Sequence, residues 1–405
     1  MFKTFPLALL ASTPLLASTC CMPLVDPNCY TYAVNPPVSS APCCNFGGRI
    51  DFLYWRPYSD DNSFASVINS GAFGTFEGSG FFRSSELSVT QVDLKYDWQA
   101  GFRVGVDVGY PCNEWRVSLD WTHYLHHTPK TYVNAGNAGS NFINTLNTIP
   151  PNQVVILSYL QDPSFYSPLS SSFTTPAINF ASSAIGQWKV DYNTLDLLFQ
   201  RQFYVGHKVT LAPYAGLKAL FLKQNLHSYA ETSYQFAVVD LANIHSVATN
   251  MNAELCSDFK GVGVEVGLET TWDVVCNLGF YGDVSSSILY GNSKSKLTGS
   301  LNTNVPPSDT LLATPYVVNY FAERRVNDLK ATLDLAFGIE WTGELFCGGD
   351  FAIRAGWEEH LLFRQNTFIE MDVTYEFLHL ATSNVKQRMT DVSFQGLVIS
   401  ALFQY

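Results

Sequence analysis

The sequence predicts an all-β fold: a transmembrane antiparallel β-barrel of about ten strands, with twelve or more as the alternative, short periplasmic turns and long extracellular loops. Three observations point there. Apolar and polar residues alternate with period two through repeated segments. The connections between those segments are short and long by turns. Of 405 residues, 47% are hydrophobic and 14% aromatic but only 14% charged, where a soluble domain carries about 25% charged residues. Mean hydropathy is nevertheless only +0.04, which excludes a bundle of membrane helices, and the aromatic and aliphatic content excludes intrinsic disorder. Lys and Arg number 23 against 35 Asp and Glu, a formal charge of −12, the wrong sign for a nucleic-acid partner.

The chain begins MFKTFPLALLASTPLLAS, one Lys followed by an apolar run too short to span a bilayer. This is the pattern of a secretory signal over residues 1–19, with small residues at Ala17, Ser18 and Thr19 for cleavage. A lipoprotein cut before Cys20 is the alternative, though Ala-Ser-Thr makes a poor lipobox. No later segment offers the roughly 20 apolar residues of a transmembrane helix. Residues 20–44 form a Cys- and Pro-rich periplasmic segment, and the barrel occupies 45–405.

Ten strands follow in order: Phe46 to Trp55, Phe102 to Tyr110, Trp115 to Trp121, Trp188 to Phe203, Val209 to Lys223, Val262 to Trp272, Leu278 to Tyr290, Leu329 to Trp341, Phe351 to Glu358 and Phe394 to Tyr405. The eighth is the clearest, with Leu329, Leu333, Leu335, Phe337, Ile339 and Trp341 on one face and Lys330, Thr332, Asp334, Gly338 and Glu340 on the other. Parity slips between Tyr192 and Leu195, which predicts a bulge there. Leu87 to Trp98 and Phe368 to Leu380 read as strand-like pieces in long loops, the source of the twelve-strand alternative.

A soluble sandwich would also alternate, but three details favour a membrane barrel. The polar faces are mostly Gly, Ser, Thr and isolated charges, as suits a wet lumen. The apolar faces end in aromatics, namely Trp55, Tyr110, Trp115, Trp272, Tyr290, Trp341 and Tyr405, as an interfacial girdle requires. Last, the connections 111–114, 204–208, 273–277 and 342–350 are short, whereas 57–97, 127–186, 225–258, 291–327 and 360–390 are long and polar. The final residues Leu397, Ile399, Ala401, Phe403 and Tyr405 are apolar in step and end on an aromatic, the kind of terminus that barrel-assembly machinery reads.

Nine cysteines in an exported chain predict disulfides. Cys20, Cys21, Cys29, Cys43 and Cys44 crowd the segment before the barrel, and the adjacent pairs are poor candidates for bonding to each other. Cys112, Cys276 and Cys347 fall in short turns, and Cys256 is assigned to the outside. Zinc competes, but no C-x₂-C pair exists. The placement predicts a periplasmic network drawing on Cys29, Cys43, Cys44, Cys112, Cys276 and Cys347, partly within the chain and partly to disulfide-linked neighbours or a homo-oligomer.

The inward charges are Arg49, Arg103, Arg116, Lys218, Lys330 and Arg354 with Asp51, Asp107, Asp120, Asp196, Glu265, Glu269, Asp283, Asp334, Glu340 and Glu358. Their burial demands water or mutual pairing, and the acid excess predicts a mild preference for cations. A lumen filled by side chains and loops is the competing expectation for so small a barrel. His123 and His127 share one face of a strand while His126 points away, so a metal or catalytic set is not expected. Glu358, Glu359 and His360 read as solvated charges at a loop entrance. No G-x-S-x-G or H-E-x-x-H occurs, and Gly78 and Gly80 have no Lys to make a phosphate cradle. No cofactor and no catalytic residue is expected.

Several motifs carry a family likeness: DFLYWRP (Asp51 to Pro57), GFRVGVDVGY (Gly101 to Tyr110) followed by DWTHY (Asp120 to Tyr124), PYAGLKALFLKQ (Pro213 to Gln224), AGWEEHLLFRQN (Ala355 to Asn366) and FQGLVISALFQY (Phe394 to Tyr405). With them the chain resembles the major outer membrane proteins of Legionella and chlamydia-like bacteria. That resemblance implies an abundant pore-forming protein embedded in outer-membrane lipid, and its chlamydial side implies a cysteine-cross-linked envelope. The expected function is therefore a porin passing small hydrophilic solutes and ions. The rivals are a non-conducting structural or adhesin barrel and, more remotely, an outer-membrane hydrolase using His123 or His127.

Overall fold

The computed structural model describes residues 45–60, 62–70, 87–110, 115–134, 153–161, 168–169, 177–178, 181, 183–206, 208–237, 244–275, 277–304, 316–344, 349–375 and 381–405. The wall is made of β1 (Asn45–Ser59), β2 (Gln99–Tyr110), β3 (Trp115–His127), β4 (Ser183–Arg201), β5 (Val209–Ala237), β6 (Ile244–Val275), β7 (Leu278–Asn304), β8 (Tyr316–Glu344), β9 (Asp350–Tyr375) and β10 (Ala381–Gln404). Each pairs antiparallel with the next, and β10 pairs with β1 from Gln404↔Gly47 to Val392↔Ser59, so ten strands close a ring. Closure gives each strand a partner on both sides through the lower part of the wall, as hydrocarbon demands. Short strands Thr131–Asn134, Phe203–Val205 and Leu160–Gln161 attach to this sheet without entering the ring. Among the described residues the ring thus has ten strands, and the three short ones bring its sheet to thirteen. Leu87–Asp93 joins Ser63–Ser70 and Gln153–Leu157 in a separate small sheet, and Phe368 belongs to β9.

Strands β5 to β9 run 26 to 32 residues, whereas a bilayer is crossed by about ten. What fills the excess is an inversion of the faces. On β5 the outward residues Leu211, Leu217 and Phe221 give way to Lys223 and Asn225, while the inward row changes from Tyr214 and Lys218 to Leu220, Leu222 and Leu226. On β7 the outward row changes from Ile288 and Tyr290 to Asn292 and Lys294, and the inward row comes to include Leu297 and Leu301. The change-over residues are hydrogen-bonded neighbours: Trp121 pairs with Leu195, Leu195 with Ala219, Ala219 with Val262, Val262 with Tyr290 and Tyr290 with Leu329. Below this line the barrel is apolar outside and polar inside, as a membrane requires. Above it the same strands continue as a soluble barrel, polar outside and apolar inside.

Four sequence expectations are corrected by that inversion. Stretches read as loops (225–258, 291–327 and 360–390) are in large part wall strand, since their alternation persists with its sense reversed. The bulge expected between Tyr192 and Leu195 does not exist. Pairing runs unbroken from Lys189↔His127 to Arg201↔Trp115, and the apparent slip is the point where apolar residues change from the inner face (Trp188, Val190, Tyr192) to the outer (Leu195, Phe199). Trp55 is not a girdle residue. It points inward, fully buried, against Tyr124, His360 and Phe394, whereas Trp115, Trp272, Tyr290, Trp341 and Tyr405 are exposed as expected. Finally, His360 is not solvated at a loop entrance but faces inward, buried beside Glu358, itself expected in the lumen, and of the three only Glu359 points out.

The interior thus has two storeys. The upper one is an apolar core in which Trp55, Tyr124, Trp188 and Phe394 from the wall meet Phe64, Val155, Leu157 and Leu160 from inserted segments. Ser158 N–H donates to the Phe64 carbonyl at 3.0 Å, and Leu160 and Gln161 pair in parallel with Met371 and Asp372 of β9. The β9–β10 hairpin takes part in the closure. Above Thr332↔Leu362 its pairing with β8 stops, and the register of β9 against β10 shifts between Leu362 and Asn366. Arg364 sits there in the left-handed region, φ 55°, a conformation costly for a non-glycine residue and held by its surroundings. Its N–H donates to Asp391 Oδ1 at 2.7 Å, and Lys330 Nζ donates to its carbonyl. Beyond this kink Thr367 reaches Ser257 of β6 at 2.7 Å, and Ser295 of β7 donates to its carbonyl at 2.5 Å, so the hairpin leans across the mouth.

Candidate functional site

The lower storey is a charged layer inside the membrane-spanning zone. Its residues come from one face of nearly every strand, because period-two alternation turns each second side chain inward. Glycines on the same faces leave room for long side chains to cross. A Cβ at Gly105 would lie 2.0 Å from Asp120 Oδ1, and one at Gly47 would lie 2.2 Å from Asp107 Oδ1.

One continuous chain of ion pairs crosses the lumen. Arg49 Nη2 lies 2.8 Å from Asp51 Oδ2, which Arg103 Nη1 also approaches at 3.1 Å. Arg103 then grips Glu358 with both arms, Nη1 to Oε1 at 3.0 Å and Nη2 to Oε2 at 2.9 Å, and its Nε donates to Thr122. His360 bridges onward, 3.3 Å from Glu358 and 2.8 Å from Asp334. Lys218 Nζ completes the run at 2.6 Å from Asp334 and 3.0 Å from Glu265, whose Oε1 also accepts from Ser285 at 2.9 Å. Nearer the turn end, Arg354 joins Glu269 at 2.8 Å and pairs with Glu340, Gln200 donates to Glu269 at 2.7 Å, and Arg116 faces Asp107 at 3.6 Å.

These groups surround a cavity of about 160 Å³. Its wall carries eight carboxylates (Asp107, Asp120, Asp196, Glu265, Glu269, Asp283, Asp334 and Glu358) against five Arg or Lys side chains and His360. Asp196 is served by Thr194 at 3.1 Å and only distantly by Lys218 at 3.9 Å, and Asp283 by the Tyr214 hydroxyl at 3.0 Å. So many charges survive desolvation only with mutual pairing and water. Counted formally, the carboxylates outnumber the fixed cations and His360 together by two.

All twelve residues singled out as lumen-lining lie in this layer. Arg49, Arg103, Asp107, Arg116, Asp120, Glu265, Glu269, Asp334, Arg354 and Glu358 reach the cavity, while Asp51 and Glu340 stand behind their arginines. Lys330 is also buried but belongs to the upper storey, 3.1 Å from Asp328. Sequence reasoning missed His360 and the three tyrosines Tyr192, Tyr214 and Tyr281 that line the same space. The signal was parity: Tyr214 and Lys218, Tyr281 and Asp283, and Glu358 and His360 share inward rows.

His126 is fully buried beside Tyr124, 3.4 Å from its hydroxyl, while His123 meets Asn193 at 2.7 Å on the opposite face. The three histidines of that strand do not converge. Among the described residues no three His, Cys, Asp or Glu side chains gather where a metal ion could sit. Cys256 is a free thiol, half-buried on the outward row of β6. The disulfide candidates Cys29, Cys43, Cys44, Cys112, Cys276 and Cys347 lie outside the described residues. The strand ends that flank the last three, from Trp115, Asn277, Leu278 and Asp350, stand at the same end of the barrel as Asn45 and Tyr405.

The chain is similar to several solved barrels. The outer membrane protease OmpT from Escherichia coli shares 10% identity at a TM-score of 0.31, over 89% of this chain and 96% of that one. A deletion mutant of the monoaromatic hydrocarbon channel TodX shares 7% identity at 0.26, over 90% and 91%. A Pseudomonas aeruginosa FadL homologue shares 7% at 0.21, over 90% of each chain. No curated protein matches. Residues 42–405 match the family of the Legionella pneumophila major outer membrane protein precursor, nearly the whole chain, and the protein belongs to that outer-membrane β-barrel family.

Proposed function

We propose that the protein is a non-catalytic outer-membrane channel for small hydrophilic solutes and ions, with a preference for cations. The observation that carries the reading is the acid-rich cavity inside the membrane zone, lined by eight carboxylates against five fixed cations. A layer of that composition, acidic on balance, lowers the barrier for a cation and raises it for an anion. Proposed alongside is a structural role through periplasmic disulfides to neighbouring chains, supported by the crowding of eight of nine cysteines before the barrel and in its short turns.

Purified protein in planar bilayers tests the channel. Discrete conductance steps with a reversal potential favouring cations in a salt gradient are the expected result. A second reading, a non-conducting structural barrel, is favoured by the apolar upper storey, where Phe64, Trp188 and Phe394 are fully buried within the lumen. Absence of discrete steps would establish that reading and remove the first. Envelopes run on non-reducing and reducing gels test the cross-links, and migration as a monomer in both would sink them.

A further inference from the structure

A protein of charge −12 places its outward cations unevenly. Just above the apolar band, on four adjacent strands, stand Lys223 of β5, Lys260 of β6, Lys294 and Lys296 of β7 and Arg325 of β8. The register makes them one patch: Lys223 pairs with Asp258, Asp258 with Lys294 and Lys294 with Arg325, while Lys260 pairs with Asn292 and Lys296 with Glu323. Lys260 lies two residues beyond Val262, the end of the apolar row, about 7 Å along the strand and hence roughly 5 Å above that residue for a strand tilted by about 40°.

The acids in and beside the patch, Asp191 opposite Lys223, Glu254 two residues from the Cys256 that faces Lys296, Asp258 and Glu323, number four against five bases. Arg325 donates to Glu323 at 2.6 Å and holds its carboxyl below the usual carboxylate range, with Lys294 at 4.0 Å. Among the described residues Lys223, Lys260 and Lys296 have no carboxylate within ion-pair distance, and Lys296 lies 5.5 Å over the exposed Phe321 ring. On the strands that follow β8 round the ring, the first polar outward residues are Glu359 of β9, Gln395 of β10 and Arg56 of β1, a single cation among three.

We infer that this patch is a docking site for the phosphate groups of an outer-leaflet glycolipid, whose acyl chains lie against Val262, Ile288, Tyr290 and Leu329. Height and sign both select that occupant. The apolar residues below the patch already face lipid tails, so the head group of the same molecule must lie at the level of the lysines. Each Lys or Arg beside a charged lipid head group adds to the attraction, and Lys223, Lys260 and Lys296 with Lys294 and Arg325 concentrate it on one wall.

The experiment titrates full-length protein in detergent with lipid A bearing both phosphates, with the same lipid stripped of phosphate, and with inorganic pyrophosphate, reading bound lipid by native mass spectrometry and folding by heat-modifiability on gels. The wild type is expected to retain the phosphorylated lipid at least about tenfold more tightly than the stripped one. The quadruple variant K260Q/K294Q/K296Q/R325Q is expected to lose that preference while a control, R56Q on the opposite wall, keeps it. Equal binding of phosphorylated and stripped lipid by the wild type overturns the proposal without recourse to any variant. So does an unchanged preference in the quadruple variant, or full competition by pyrophosphate at equal concentration, which would mark a plain anion site.

Discussion

Arg103 and Glu358, 255 residues apart in sequence, meet fork to fork across the lumen at 2.9 and 3.0 Å, both buried. They tie β2 to β9 through the middle of the barrel, and the pair is extended by Asp51 on one side and His360 on the other. A planar guanidinium and a carboxylate in this geometry form the strongest kind of ion pair available to side chains.

Glu358→Gln leaves Arg103 half-satisfied in a desolvated layer. Removing one partner of a buried pair costs about 3–5 kcal/mol, and the retained Asp51 contact moderates this to the lower end. Urea titration in lipid vesicles, followed by tryptophan fluorescence, is expected to show the loss. The double variant with Arg103→Met should be less destabilised than the sum of the single changes, because the stranded cation is gone.

The apolar band fixes where lipid lies. Val266 faces outward within the band and Thr298 faces outward above it. Val266→Arg is expected to cost about 2–4 kcal/mol, the midplane penalty for a cation on a lipid face. Thr298→Arg should stay within about 0.5 kcal/mol of wild type. The same vesicle unfolding assay compares them, and equal costs would misplace the boundary.

Ion preference should follow the unpaired acids. Asp120→Asn with Asp196→Asn removes two of the carboxylates that lack a close cation, leaving the main ion-pair chain intact. Reversal potentials in a potassium chloride gradient are expected to move towards zero, with single-channel conductance of the same order.

Phe64 sits against Gly186, where an added Cβ would come within 2.3 Å of its ring. Gly186→Leu is expected to expel the inserted segment and open the upper storey. Larger conductance steps and new protease cleavage within residues 62–70 would report this, with the wall still heat-modifiable on gels. No change in either readout would mean the upper storey does not obstruct the lumen.

The wall itself was legible in sequence because a membrane strand segregates its faces completely: Leu329 to Trp341 needs no tertiary knowledge to be read as lipid-facing. The upper wall was not, since Asn292, Lys294 and Lys296 outside with Ser293, Ser295 and Leu297 inside look like a polar loop when lipid is assumed on the outer face. Trp55 was misread for the same reason, standing on the inward row with Leu53 where the inner face turns apolar. The charge layer was found residue by residue from parity, but its pairing was not, because Arg103 and Glu358 are joined only by the curvature of the ring. His360 was lost when strand β9 was stopped too early.

The seam that closes the ring has a consequence for how this molecule can be made. Phe46 and Tyr405 exchange N–H to carbonyl bonds at 2.9 Å each way, so the first wall strand has no permanent neighbour on one side until the last has been delivered. Nothing short of the complete set can rest in hydrocarbon without a raw edge. Folding is thereby converted from a sequence of independent additions into a single joining event, and any lesion that delays β10 leaves β1 exposed for as long as the delay lasts.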